Sequence, residues 1–302
     1  MTRKTLSKPD FIAIGPPKTG TTWIYRNLDF HPEVWMPPDK EIRHFWERTF
    51  IGQMSYRKRR SSTHWHHAAR QIFCQKRLRE HRQNLLSFKL DVKTLWWDIK
   101  YAYGTHTDKW YSSLFDKGLV SGDISAKYCE LPDDELVKIN DHFPKLKILI
   151  TLRDPVEREW SRAKMNLCKR TGREVEEVSE SEFINEFNDP PQRQSNDYVS
   201  LISRWTRHFG ENQILVLFYD DLLQNPIDYF KELCKFLQIS APERAHEKQL
   251  NEVVFKGVKG NMPTKYEKYL FDLHKGNISE LAKYISDNEY PKKWLEKYKN
   301  LI

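Results

Sequence analysis

The chain has 302 residues, 39% of them hydrophobic, 13% aromatic and 30% charged, with a mean hydropathy of −0.76. So many aromatic residues exclude a disordered chain, and with no 18-residue apolar run the sequence offers no membrane span. The formal net charge is +8, and the stretch 57–82 equals it alone, with nine basic residues against one acid, Glu80. That patch reads either as a solvated helical face or as a landing surface for a polyanion such as an acidic glycan, nucleic acid or anionic lipid.

Four scattered cysteines, Cys74, Cys129, Cys168 and Cys234, form no CxxC pair. They point to a reducing compartment and to neither a zinc site nor a disulfide framework. The start, MTRKTLSKPDF, has no apolar h-region, so a cytoplasmic protein is expected.

In chain order, the apolar run 10–14 reads as a buried strand that stops at Gly15-Pro16-Pro17, and 21–30 as a helix closed by His31-Pro32. The stretch 47–109 is basic and helical in character and contains Trp96-Trp97. It reads as an insertion decorating the sheet on the acceptor side. Further strands are expected at 119–124, 146–152 and 213–218, with a helix over 156–169 and another from Pro226 through Leu237. Apolar runs alternating with helical patterns call for an α/β fold. We expect a P-loop-like, mainly parallel sheet flanked by helices, in one domain over 1–302. No internal repeat is present.

The most specific local signal is Gly15-Pro-Pro-Lys18-Thr19-Gly20-Thr21-Thr22-Trp23, between the first strand and the first helix. Two glycines five apart let the backbone wrap closely. The amides of Gly20, Thr21 and Thr22, the helix dipole, two hydroxyls and the Lys18 ammonium together make a phosphate cradle. The loop departs from GxxxxGK[ST], because Thr21 follows the second glycine and the lysine stands inside the loop. The strand at 146–152 ends in Arg153, a cation, where a triphosphatase would need an acidic magnesium ligand. The pattern therefore asks for a nucleotide anionic at two places and gives no sign of a metal.

GPPKTGTTWIYRNLDFHPEV resembles the 5′-phosphosulfate loop of the sulfotransferases that use 3′-phosphoadenosine 5′-phosphosulfate (PAPS). The stretch 150–161, ITLRDPVEREWS, is similar to their 3′-phosphate motif, with Arg153 at the strand end and Ser161 two turns into the next helix. Asp154 would cap that helix, with Pro155 at its first position. VKGNMP at 258–263 looks like the late nucleotide loop, with Asn261 where the family usually has arginine. The resemblance implies PAPS as co-substrate and PAP, the 3′,5′-bisphosphate, as product. Lys18, Thr19, Gly20, Thr21, Thr22, Trp23, Arg153, Ser161, Lys259, Gly260 and Asn261 would hold the nucleotide.

KEIRHFW at 40–46 resembles the KE-x-HFF stretch of the heparan sulfate-type carbohydrate sulfotransferases, with one extra residue before His44. That likeness makes Glu41 the general base and His44 its competitor. It favours a hydroxyl acceptor on a carbohydrate or glycolipid, including an acidic glycan, with no obligatory nucleic acid. GDISAKY at 122–128 resembles the family's GEK-T/S-P-x-Y, with Ile124 in place of the lysine. Two other readings stay open: a P-loop kinase or nucleotidase, marked by magnesium-dependent ATP turnover, and a nucleic-acid-binding protein using 57–82 with Trp65.

Overall fold

The computed structural model describes residues 8–52, 65–87, 91–115, 118–252 and 260–301. Strand β1 (Phe11–Ala13) is buried throughout and leads into helix α1 (Thr21–Phe30) and a two-residue strand β2 (Val34–Trp35). The helices α2 (His44–Phe50), α3 (Trp65–Leu86), α4 (Val92–Tyr103) and α5 (Asp108–Ser112) then occupy the stretch read as helical. Strand β3 (Val120–Ile124) is followed by α6 (Asp133–His142), and β4 (Lys147–Leu152) by α7 (Pro155–Lys164).

The α7 helix continues as a π-helical turn, Met165–Lys169, where the sequence pattern showed one uniform helix. Three helices follow, α8 (Glu180–Phe187), α9 (Pro190–Gln194) and α10 (Tyr198–Phe209), and then β5 (Ile214–Phe218). The chain closes with α11 (Tyr219–Gln224), α12 (Pro226–Leu237), α13 (Arg244–Leu250), α14 (Thr264–Tyr284) and α15 (Tyr290–Lys297).

The five strands form one sheet in the order β2-β3-β1-β4-β5, with every pairing parallel. Ile12 stands opposite both Asp123 and Ile148. Side chains alternate across the pleat. Ile12, Ile148 and Ile150 enter one core layer, while Phe11, Ala13 and Leu149 enter the layer on the other face. Covering both faces with helices is what lets β1 and β4 be almost wholly apolar.

From β1 the chain goes to the β2 and β3 side and later returns on the opposite side at β4. The crevice therefore lies outside the carboxyl ends of β1 and β4, where the strand order reverses and open α/β sheets bind ligands. Among the described residues, no helix is long and apolar enough to cross a membrane.

Candidate active site

The loop after β1 is shaped by its closeness to β4. A Cβ on Gly15 would stand 1.9 Å from Thr151 Oγ1, so only glycine lets the chain pass. Thr19 is fully buried; its hydroxyl donates to Pro16 O at 2.8 Å and shares a 2.6 Å hydrogen bond with Thr151 Oγ1. The Thr19 side chain thus ties the loop to the sheet, and only its backbone is left for a ligand. Arg158, also fully buried, donates to Pro17 O at 3.3 Å and to Asn196 Oδ1 at 2.8 Å, which supports the loop from α7.

Lys18 (φ 77°) and Gly20 (φ 91°) both adopt left-handed backbone conformations, and Gly20 caps α1. Trp23 N–H turns back to Gly20 O at 2.9 Å, and the amides ahead of it head the helix at its positive end. The Trp23 indole is 7% exposed; it donates to Leu250 O at 3.2 Å and meets Tyr229 and Phe230 edge-on, in the core between α1, α12 and α13.

Cations gather around Lys18. Burial and the nearby charges of Arg153, Lys169, Lys164 and Lys40 together pull its ammonium below the usual lysine range. Arg153 Nη1 donates to Lys18 O at 3.3 Å, so the ends of β1 and β4 share one pocket wall. The Arg153 guanidinium lies 4.6 Å from the Tyr219 ring centroid and 3.6 Å from Glu157 Oε2. Lys164 Nζ donates to Gly260 O at 2.8 Å, which brings the late loop to the end of α7. Ser161 is partly buried on α7, and Asn261 is exposed beside Gly260. Lys259 lies outside the described residues.

Asp154 caps α7, accepting from Val156 N–H at 3.0 Å, with Pro155 at the first position as the sequence indicated. Lys297 Nζ at 3.2 Å and the Tyr298 hydroxyl at 2.5 Å hold the same carboxylate.

Lys40, which the sequence reading passed over as a site residue, reaches the same crevice. Its ammonium donates to Thr21 Oγ1 and to Thr22 Oγ1, both at 3.1 Å, and stands 3.7 Å from Glu41 Oε1. The other Glu41 oxygen, Oε2, accepts from Arg43 Nε at 2.8 Å and from Arg43 Nη2. Burial alone would raise the Glu41 carboxyl; Arg43 and Lys40 outweigh it and hold the group below the usual carboxylate range.

The segment carrying Glu41 is strapped on both sides. Ile42 N–H donates to Asp123 Oδ1 at 3.4 Å, Arg43 N–H to Ser125 Oγ at 3.0 Å, and Arg70 Nη2 to Ile42 O at 2.7 Å. The Tyr101 hydroxyl donates to Asp39. Asp123 also accepts from Tyr128 at 2.6 Å and Tyr111 at 3.3 Å. Burial pushes its carboxyl up to about 6 despite these donors.

His44 lies elsewhere. Its ring is 1% exposed, stacks on Tyr111 with centroids 4.7 Å apart and hydrogen bonds through Nε2 to Asp108 Oδ1 at 2.8 Å. Burial lowers its pKa against the opposing pull of Asp108. The structure therefore brings Lys18, Lys40, Glu41 and Arg153 to one crevice and seats His44 in an aromatic cluster with Phe45 and Trp110. Lys164 and Lys169 were also missed; the available signal was cations continuing along the helix that follows Arg153.

Of the basic patch, residues 57–64 lie outside the described residues, and two of the other cations are paired inside the fold. Arg70 is buried against Glu47 at 2.9 Å and donates to Tyr101 Oη at 3.0 Å. Arg77 donates to Asp98 at 3.0 Å and Glu80 at 3.1 Å, and His81 bonds the same Asp98. A local charge count cannot see carboxylates that arrive from other helices. Of the described residues in that patch, Lys76, Arg79 and Arg82 are exposed.

A family model described as the sulfotransferase family matches residues 9–243. Among solved structures, a sulfotransferase from Alicyclobacillus acidocaldarius is similar with a TM-score of 0.57 and 21% identity, over 93% of this chain and 96% of that one. Mouse sulfotransferase SULT7A1 complexed with PAP aligns over 95% of this chain and 88% of that one, at 11% identity and a TM-score of 0.49. No curated protein matches the sequence at a significant level.

Proposed function

The chain belongs to the sulfotransferase family, and from that premise we propose that it moves the sulfuryl group of PAPS to a hydroxyl on a carbohydrate or glycolipid, with Glu41 as general base. The observation that carries this reading is the convergence of Lys18, Lys40, Arg153, Lys164 and Lys169, from three separated segments, on the carboxyl ends of β1 and β4. Crowding like charges together is costly, and an anion with phosphates at two places relieves it. The residues present thus fit the nucleotide.

When bound, PAPS supplies a sulfuryl group already joined to a stable leaving phosphate. Lys18 and the Gly20, Thr21 and Thr22 amides would hold the 5′-phosphate side, where the helix dipole adds to the ammonium charge. Arg153 and Ser161 would hold the 3′-phosphate, with Gly260 and Asn261 on the loop beside them. A cation built to pair with that phosphate is left unpaired by a nucleotide without it, which selects against ATP.

Glu41 would take the proton of the acceptor hydroxyl as that oxygen bonds to sulfur, a contribution of about 10²–10⁴-fold. Lys18 would steady the oxygen on which the electron pair of the breaking bond settles. Because Lys40 touches both the threonines of the loop and Glu41, the base and the donor pocket share one wall. The choice of Glu41 over His44 rests on that link and on the enclosure of His44 by aromatic rings. The carbohydrate or glycolipid assignment rests on the KEIRHFW likeness, and an acidic acceptor suits the excess of cations around Glu41. We assign the helices of 47–109 to shaping this side, since Tyr101 holds the Asp39 carboxylate and Arg70 the Ile42 carbonyl.

Calorimetric titration with PAP and with adenosine 5′-phosphate tests the donor site. PAP should bind at least tenfold more tightly, roughly one charge-assisted hydrogen bond; equal affinities would sink the two-phosphate assignment. A screen with labelled donor against acidic glycans, neutral glycans, glycolipids and phenols then tests the acceptor, and label on phenols alone would refute the carbohydrate reading.

A further inference from the structure

The extra residue between Glu41 and His44 has a structural consequence. Arg43 sits at φ 57°, a left-handed conformation that non-glycine residues seldom hold without support from their surroundings. Its backbone is pinned at both ends: the amide donates to Ser125 Oγ at 3.0 Å, and the carbonyl accepts Glu47 N–H at 2.9 Å as α2 begins. So fixed, its guanidinium turns back on Glu41, and both Nε and Nη2 take the same oxygen, Oε2.

The two oxygens of one carboxylate are thereby made unequal. Oε2 is occupied by Arg43, whereas Oε1 is on the side of Lys40, whose ammonium reaches the threonines of the phosphate loop. An acceptor hydroxyl in line with the donor pocket would approach from that side. We propose that Arg43 is a positioning residue for sulfuryl transfer: it holds Oε2 and leaves Oε1 to receive the acceptor proton. This rests on the reading of Glu41 as the base.

The charges around Glu41 come from several elements. Lys40 and Arg43 flank it on its own segment, and Lys18 faces Lys40 from the phosphate loop. Asp39 precedes it, held by Tyr101 of α4 and acted on by Arg70 of α3, and Asp123 of β3 sits beneath Ile42. His44 and Asp108 pair with each other beyond Arg43. Arg43 and Lys40 are the two cations that oppose the burial of Glu41, so losing Arg43 removes the nearer half of the counter-charge.

The experiment compares Arg43→Asn, Arg43→Lys, Glu41→Gln and His44→Ala by PAP affinity, thermal melting and the pH profile of kcat/KM. Asparagine tolerates the left-handed backbone, so Arg43→Asn keeps the turn while removing the charge. It should lower kcat about tenfold or more and move the acid limb of the profile up by about one pH unit, with PAP affinity unchanged. Arg43→Lys should restore most of the acid limb but not the full rate, because an ammonium cannot fork one oxygen. If Glu41→Gln loses the rate while Arg43→Asn leaves the acid limb in place, the inference falls alone. If Glu41→Gln stays fully active, or His44→Ala loses the rate instead, the base assignment falls and takes the inference with it.

Discussion

Two regions of this molecule are rich in positive charge and treat it in opposite ways. At the ends of β1 and β4, Lys18 is surrounded by Arg153, Lys164, Lys169 and Lys40, and its ammonium is pushed toward neutrality. In the helices between Glu47 and Asp108, several buried or half-buried cations each meet a carboxylate. Arg70 meets Glu47, Arg48 meets Asp108 and Glu135, and Arg77 meets Asp98. Glu47 is driven well below the usual carboxylate range: burial would raise it, but Arg70 and His106 prevail. Charge matched within the chain holds helices together, whereas at the strand ends cations crowd one another with Glu41 and Glu157 beside them. Two cations of the 57–82 stretch, Arg70 and Arg77, thus serve the scaffold, while five cations from separate segments gather at the strand ends.

That contrast can be broken most forcefully in the helical region. Arg70→Met should strand a buried Glu47 carboxylate and cost about 3–5 kcal/mol of stability, read by denaturant unfolding, while the folded fraction binds PAP as before. A loss of PAP affinity without a loss of stability would reverse the assignment. In the crevice the opposite pattern is expected. Lys18→Met should cut kcat by about 10²–10³-fold yet leave the melting temperature unchanged or higher, because it relieves repulsion among cations. A lowered melting temperature would make Lys18 a structural partner instead.

Asp123 bridges the two regions beneath the Glu41 segment, and its pKa of about 6 gives a stability signature. The folded chain keeps a proton there that the unfolded chain releases near its ordinary 3.8. This group's contribution therefore falls as pH rises from about 4 to about 6, by about 3 kcal/mol at most. Asp123→Asn should flatten that part of the stability curve, and a curve parallel to that of the parent would contradict the burial of a titrating carboxyl. The smallest effect sharpens the two-phosphate reading. Arg153→Ala should weaken PAP binding roughly 10- to 100-fold and leave adenosine 5′-phosphate unaffected, whereas equal losses for both would remove Arg153 from the 3′-phosphate.

The elements were legible where punctuation and periodicity agree. Gly20 and His31-Pro32 bracket α1, so its limits at Thr21–Phe30 could be read directly, and the apolar runs of β1, β3, β4 and β5 were located to within a residue or so. Val34–Trp35 escaped because two residues carry no period, and its pairing to Val120 and Ser121 makes it a strand. The π-helical turn at Met165–Lys169 escaped because its side-chain pattern differs too little from an α-helix to be seen over five residues. Within the loop, Thr19 was expected among the residues holding the nucleotide; Thr151, 132 residues later, takes its hydroxyl.

Local order is a matter of nearest neighbours along the chain. That is why the alternation of strands and helices, the cap at Asp154-Pro155 and the glycine-bounded turn at Gly15–Thr22 are properties of the amino-acid order itself. Which cations crowd together and which meet a distant carboxylate is set by distances between residues tens or hundreds of positions apart. Only the folded chain could spend Arg70 on Glu47, bring Lys40 to Thr21 and Thr22, and fold Arg43 back on Glu41. Electrostatic energy depends on separation in space and on the water excluded between the groups, and neither is written in the order of the residues.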